Sequence, residues 1–265
     1  MIEGVTTAPP GYALITGASS GLGAEFAQQL AATGRNLILV ARREDRLLTL
    51  GNTLRAQYQI TAEIIVADLS APDAGRHIAD TCDAAGWQVD WLINNAGVAG
   101  PDILLDRDWS AQQRFFQLMM LSVADLCHRL IPSMVERGHG RVINVASVAA
   151  RVPRSGGCNY GPSKAYLVAL SEELNLTVAA RGVHVSALCP GFTHTDFHET
   201  AGLMEMKKNM AKWLWYGADT VVKDAIRGVE RGKPVVISGR LYRWLDPLFQ
   251  SVWIRRFLRV KARPE

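Results

Sequence analysis

Short apolar runs alternate with segments of helical periodicity along most of this chain, and that alternation leaves few folds open. Residues 12–16, 36–41, 62–67, 89–93, a run from Arg141, 183–189 and 234–237 read as strands, each followed or preceded by enough helix-patterned sequence to cross a sheet face. Several of the strands are apolar at successive positions rather than alternate ones, which requires burial on both faces. The expectation is an α/β fold of βαβ units, a parallel sheet of about seven strands covered by helices on both faces, built as one domain over residues 1–265. The segment 109–137 reads as one long helix, or two, with Pro132 near its end. Hydrophobic residues at 48% against 20% charged exclude a disordered chain.

The first ten residues hold Glu3 and two prolines, with neither the basic start nor the apolar stretch of a secretory signal, and no apolar run approaches a membrane span. A cytoplasmic protein is expected. Cys82, Cys127, Cys158 and Cys189 have no paired spacing and read as free thiols. The net charge of +4 does not point to nucleic acid, because the basic excess is local. From residue 240 onward Arg240, Arg243, Arg255, Arg256, Arg259, Lys261 and Arg263 face only Asp246 and Glu265.

After the first strand comes Gly17-Ala18-Ser19-Ser20-Gly21-Leu22-Gly23, and then helical spacing through Phe26, Ala27, Leu30 and Ala31. Glycines here let the backbone turn tightly and approach a ligand at a helix N-terminus, whose unpaired N–H groups favour phosphate. Gly17, Ser19, Ser20, Gly21, Leu22 and Gly23 are therefore assigned to a dinucleotide cofactor. The second strand ends Ala41-Arg42-Arg43 with no carboxylate to hold a ribose 2′-hydroxyl, and Arg42 can grip a 2′-phosphate bidentately. NADP(H) is expected in preference to NAD(H).

A candidate catalytic set lies further on. Ser147 follows the apolar run Val142, Ile143, Val145, Ala146, and thirteen residues later Tyr160 and Lys164 stand one helical turn apart. A phenol titrates too high for proton transfer at neutral pH unless a fixed cation favours its anion. Lys164 can be that cation.

Taken together, Thr16-Gly-x-x-x-Gly-x-Gly23, Asn94-Asn95-Ala96-Gly97, Ser147, Tyr160-x-x-x-Lys164 and Pro190-Gly191 resemble the short-chain dehydrogenase/reductase family over roughly residues 11–240. The resemblance implies that Asp68, with Leu69 beside it, reaches the adenine; that Asn95, Ala96 and Gly97 line the adenosine ribose side; and that Pro190, Gly191, Thr193 and Thr195 flank the nicotinamide. It implies an α/β, Rossmann-like doubly wound parallel sheet of about seven strands in three layers, with Ser147 holding the substrate oxygen, Tyr160 giving or taking its proton and Lys164 binding the nicotinamide ribose, without a metal, in a homodimer or homotetramer. It also exposes a departure. The family places an asparagine thirteen residues before the position of Pro132, where it helps to hold a water joining the lysine to solvent; this chain has Met119. A backbone carbonyl or Ser122 could serve instead. Two readings follow: an NADP(H)-dependent oxidoreductase interconverting a carbonyl and an alcohol, or a catalytically silent NADP-binding protein.

His194 and His198 are spaced to share a metal but lack a third ligand, and Cys158 reads as a packed thiol. Residues 192–216 read as a substrate loop, where Met204, Met206, Met210, Trp213, Trp215 and Tyr216 favour an apolar small-molecule substrate. The segment 241–261 repeats Leu241, Trp244, Leu245, Leu248, Phe249, Val252, Trp253 and Phe257 at helical spacing, bent at Pro247. Packing on protein is the favoured reading for it, and peripheral contact with an anionic membrane the other.

Overall fold

The computed structural model describes residues 11–152, 154–155, 159–194, 215–251, 253 and 260–261. Among them, the seven expected strands form one sheet: β1 (Tyr12–Thr16), β2 (Leu37–Ala41), β3 (Ala62–Val66), β4 (Val89–Asn94), β5 (Gly140–Val145), β7 (Val183–Cys189) and β10 (Val235–Ile237). Their order is β3-β2-β1-β4-β5-β7-β10, every pair parallel. Two-residue strands make two further pairs: β6 (Arg154–Ser155) with β11 (Val260–Lys261), and β8 (Phe192–Thr193) with β9 (Trp215–Tyr216).

Alternate residues of each strand feed two separate cores, as side-chain alternation requires. Leu14, Ile38 and Leu92 face α3 (Ala74–Ala84), α5 (Ser122–Glu136) and α6 (Tyr160–Val178). Ala13, Ile15, Leu37 and Leu39 face the other way, onto α1 (Gly21–Ala31), α2 (Glu44–Tyr58) and α7 (Ala218–Glu230). The continuous apolar runs of the sequence are thus the two-faced burial of a covered parallel sheet.

The expected helix over 109–137 is two helices, α4 (Trp109–Phe116) and α5, joined through a π-helical turn at Gln117–Leu121. By length and composition Trp109–Glu136 could cross a membrane, contrary to the expectation that no segment could. Its place in the fold is different: Phe115, Met119, Val123, Leu126, Leu130 and Met134 are buried in the core. The C-terminal segment also departs from the single bent helix expected. α8 (Arg240–Gln250) carries Pro247 and stops at Gln250, and the chain returns as β11 beside β6. Phe249 has no described side chain, and Val252 and Phe257 lie outside the described residues.

Beneath the C-terminal end of the sheet runs a buried polar seam that sequence periodicity gave no hint of. The Asn94 amide donates to Asn144 Oδ1 at 2.9 Å, and the Asn144 amide donates to Ser171 Oγ at 2.9 Å, which in turn donates to the Leu167 carbonyl at 2.7 Å. It fastens β4 to β5 and β5 to α6. Asn144→Leu strands the Asn94 amide in an apolar core, and urea denaturation should show a loss of about 3 kcal/mol.

Candidate active site

The glycine loop is shaped by what a side chain would strike. Gly17 has φ +64°, and a Cβ on it would lie 2.9 Å from the Ala96 Cα; a Cβ on Gly23 would lie 2.3 Å from the Gly17 carbonyl oxygen. The loop and the start of α1 are packed to a distance only glycine permits. The other side of this turn is fixed by Thr16, whose Oγ1 accepts from the backbone N–H of Asn95 at 3.0 Å and of Ala96 at 3.1 Å. Asn95 donates its amide to the carbonyls of Thr16 at 3.0 Å and Gly17 at 3.2 Å. Its side chain is therefore spent on binding β4 to the loop, while the backbone of Ala96 and Gly97 lines the opening.

At the N-terminus of α1 the Ser20 side chain makes no capping bond and the first turn holds no acidic residue. The N–H groups and the positive dipole end are left for an anion, which fits a dinucleotide pyrophosphate. Arg43 donates through Nη2 to Ser19 Oγ at 2.9 Å and to Ser20 Oγ at 3.0 Å. Of the two arginines ending β2, Arg43 rather than Arg42 lies on the glycine loop. Arg42 acts on Asp68, at the end of β3. Burial pushes that carboxyl up, but the N–H and hydroxyl of Ser70, at 3.0 and 2.8 Å, together with Arg42, outweigh it and hold Asp68 below its usual value. The structure leaves Leu69 buried next to it.

The candidate catalytic residues meet at the C-terminal ends of β4, β5 and β7. Tyr160 opens α6, with Pro162 in the first turn where a missing N–H costs nothing. One turn on, Lys164 is 4% exposed, its Nζ donating to the Val145 carbonyl at 2.8 Å and lying 5.8 Å from the centre of the Tyr160 ring. Burial pushes Lys164 down from 10.5 to about 8. Ser147 sits on the turn after β5, accepting from the Ala149 N–H at 3.1 Å, which leaves its own proton to donate. The turn is held by the Val148 N–H to the Pro190 carbonyl at 3.0 Å, and Gly161 lies so near it that a Cβ would come within 3.2 Å of the Ala149 carbonyl. Pro190, Gly191 and Thr193 follow β7 directly, with Thr193 Oγ1 donating to the Gly191 carbonyl at 3.1 Å.

Met119 stands in the π-helical turn, 1% exposed, and accepts the Val98 N–H on its sulfur at 3.3 Å. A Cβ on Gly97 would be 3.2 Å from Met119 Sδ and 3.6 Å from Lys164 Nζ, so Met119 and Lys164 both border Gly97. Ser122 does not substitute for the missing amide; its hydroxyl is given to the Leu118 carbonyl at 2.8 Å within the same turn.

Three contacts were missed by sequence reasoning. Buried Asn159, just before Tyr160, donates to Gln112 of α4, and Gln112 donates to the Asp102 carbonyl at 3.1 Å, tying the start of α6 to the loop after β4. Arg151, after the Ser147 turn, makes a two-pronged pair with Asp246 of α8 at 2.7 and 2.5 Å. Tyr242 of α8 covers Gly191, where a Cβ would strike its ring at 2.0 Å. Each joins positions too far apart in sequence for local patterning to show. β8 and β9 pair and bring the rings of Phe192 and His194 against Trp215, centroids 5.3 and 5.2 Å away. Thr195, His198, Cys158, Met204, Met206, Met210 and Trp213 lie outside the described residues. Among the described residues no three His, Cys, Asp or Glu side chains group to hold a metal.

A phosphate cradle at the point where strand order reverses, with a lysine-supported tyrosine and a serine opposite, defines a nicotinamide-dependent oxidoreductase of the doubly wound class. The family model for short chain dehydrogenases matches residues 11–205, and the chain belongs to that family. It is 31% identical over 187 residues to the 3-oxoacyl-[acyl-carrier-protein] reductase FabG of Escherichia coli strain K12, covering 69% of this chain and 74% of that one. A short-chain dehydrogenase from Sphingobium yanoikuyae in complex with NADPH superposes with a TM-score of 0.78 at 31% identity, over 89% of this chain and 91% of that one. A family member from Burkholderia phymatum in complex with NAD gives 0.78 at 26% identity, over 90% and 92%. The chain is thus an oxidoreductase of alcohol and carbonyl groups that uses a nicotinamide cofactor.

Lys164 also makes a pH prediction. The unfolded chain holds the lysine proton up to 10.5 and the native protein releases it near 8, so the contribution of Lys164 to native stability rises with pH across that interval. Buried Cys82, Cys127 and Cys189, pushed up from 9 to about 12, act in the opposite sense above pH 9, so the lysine is read as a difference: in urea denaturation of the cofactor-free protein, the stability of wild type relative to Lys164→Met should rise between pH 8 and 10.5.

Proposed function

We propose that this protein is an NADP(H)-dependent reductase and dehydrogenase of an apolar ketone or aldehyde and its alcohol. The observation that carries the reading is Lys164, a buried ammonium with one hydrogen bond to Val145 and the Tyr160 ring beside it. When bound, the nicotinamide supplies or accepts the hydride. Tyr160 gives its proton to the substrate oxygen in reduction and takes it back in oxidation. Lys164 favours the phenolate and offers its remaining protons to the nicotinamide ribose. Ser147 donates its hydroxyl proton to the substrate oxygen and orients the carbonyl. Gly97 and Pro190 to Thr193 form the walls.

Preference for the phosphorylated cofactor is supported by Arg43 on Ser19 and Ser20 and by the absence of a carboxylate at the end of β2. The ring pairs Phe192–Trp215 and Tyr216–Tyr242, in and beside the segment that follows Pro190-Gly191, support an apolar substrate. Exposed Leu121 and Leu176 support a homo-oligomer through the α4, α5 and α6 side. Buried free Cys82, Cys127 and Cys189 are in keeping with a reducing, cytoplasmic setting.

A silent NADP-binding protein is the second reading, and Met119 favours it, because a thioether beside Lys164 cannot donate a hydrogen bond. Oxidation of NADPH and NADH over a panel of ketones and aldehydes separates the two. The reductase turns over with NADPH, Tyr160→Phe lowers kcat by about 10³-fold with NADPH binding kept, and Arg43→Ala raises KM for NADPH by roughly tenfold while leaving NADH nearly unchanged. NADPH binding without turnover on any carbonyl, restored by Met119→Asn, selects the silent reading.

A further inference from the structure

α8 has two faces with different occupations. Its inner face is consumed by the protein: Asp246 holds Arg151, Gln250 donates to the Arg151 carbonyl at 2.8 Å, and Tyr242 covers Gly191. Its outer face presents Trp244, 72% exposed, and Leu248, 42% exposed, one turn apart, and Trp253 just beyond is 75% exposed. Arg240 and Arg243 lie exposed on the same helix, Arg243 paired with Asp224 at 3.2 Å. From residue 240 to the end there are seven basic residues against two acidic ones, and one of those two, Asp246, is already neutralised by Arg151.

We propose that this outer face of α8 seats on an anionic lipid bilayer. Indole rings favour the headgroup level, where the ring is buried and the N–H stays wet, and leucine adds apolar contact below it. Basic residues near an anionic leaflet each strengthen partition about fivefold; Arg240 and Arg243 share the helix with the apolar anchors, and five more basic residues follow in the sequence. The chemistry disfavours the other occupants. A second copy would bring arginines against arginines across a two-fold axis. A nucleic acid would meet two indoles and a leucine where it needs polar groups.

The test is sedimentation of the full chain with vesicles of phosphatidylcholine alone and of phosphatidylcholine with about one-third phosphatidylserine, at about 0.05 M and 0.5 M salt. Binding to the anionic vesicles at low salt, with blue-shifted tryptophan emission and release at high salt, is expected. Trp244→Glu with Leu248→Glu should lower partition by tenfold or more while NADPH binding, the check on folding, is kept; Trp244→Ala serves if the double variant does not fold. Failure of the wild type to sediment with anionic vesicles overturns the proposal, as does equal binding by the variants. Loss of self-association in the variants, seen by analytical ultracentrifugation without vesicle binding, assigns the face to a second copy and overturns it too. Vesicle binding is read without turnover, so it stands or falls apart from the reductase reading.

Discussion

A buried ammonium must be surrounded by groups that repay its lost hydration, and the site is arranged around that demand at Lys164. The Val145 carbonyl takes one of its protons at 2.8 Å. That carbonyl is available only because β5 ends there and the chain turns off at Ser147. The same strand end that compensates the cation therefore launches the serine turn, and Tyr160 follows from α6 because one helical turn is the separation of a phenol from an ammonium on the same face. Desolvation lowers the lysine towards 8, which places a proton-holding group where it responds to neutral and mildly alkaline conditions.

The cofactor side depends on a different economy of contacts, at the switch between β1 and β4. Thr16 and Asn95 use their side chains to bond the ends of these strands to each other, the Ala18 N–H ties the loop to the Val40 carbonyl at 3.2 Å, and the N-terminus of α1 carries no side-chain cap. Rigid side chains and bare backbone are divided between neighbours: Asn95 braces and Gly17, Gly21 and Gly23 present. The polar seam of Asn94, Asn144 and Ser171 extends the same bracing beneath the catalytic side.

The sheet was legible because each strand carried its own pattern. The apolar runs at 12–16 and 37–41 meet two cores, and no other arrangement buries both faces. Ser147, Tyr160 and Lys164 were legible by spacing, and Met119 by its distance from Pro132. What escaped sequence reasoning was pairing across the fold. Two arginines follow β2, and nothing local could say that Arg43 would turn to the glycine loop while the charge of Arg42 acted on Asp68. The π-helical turn escaped as well: Gln117 to Leu121 has ordinary helical composition, and the bond from the Val98 N–H to Met119 within the turn joins residues twenty-one positions apart.

The pair between Arg151 and Asp246 joins positions ninety-five residues apart, and Tyr242 and Gln250 add to the bond. The wall behind the serine turn is thus supplied by a segment made ninety-five residues after it. During synthesis the glycine cradle, Lys164 and the serine are all made long before their backing arrives, and a ribosome that stops short of α8 releases a protein with its chemistry encoded and its active-site wall missing.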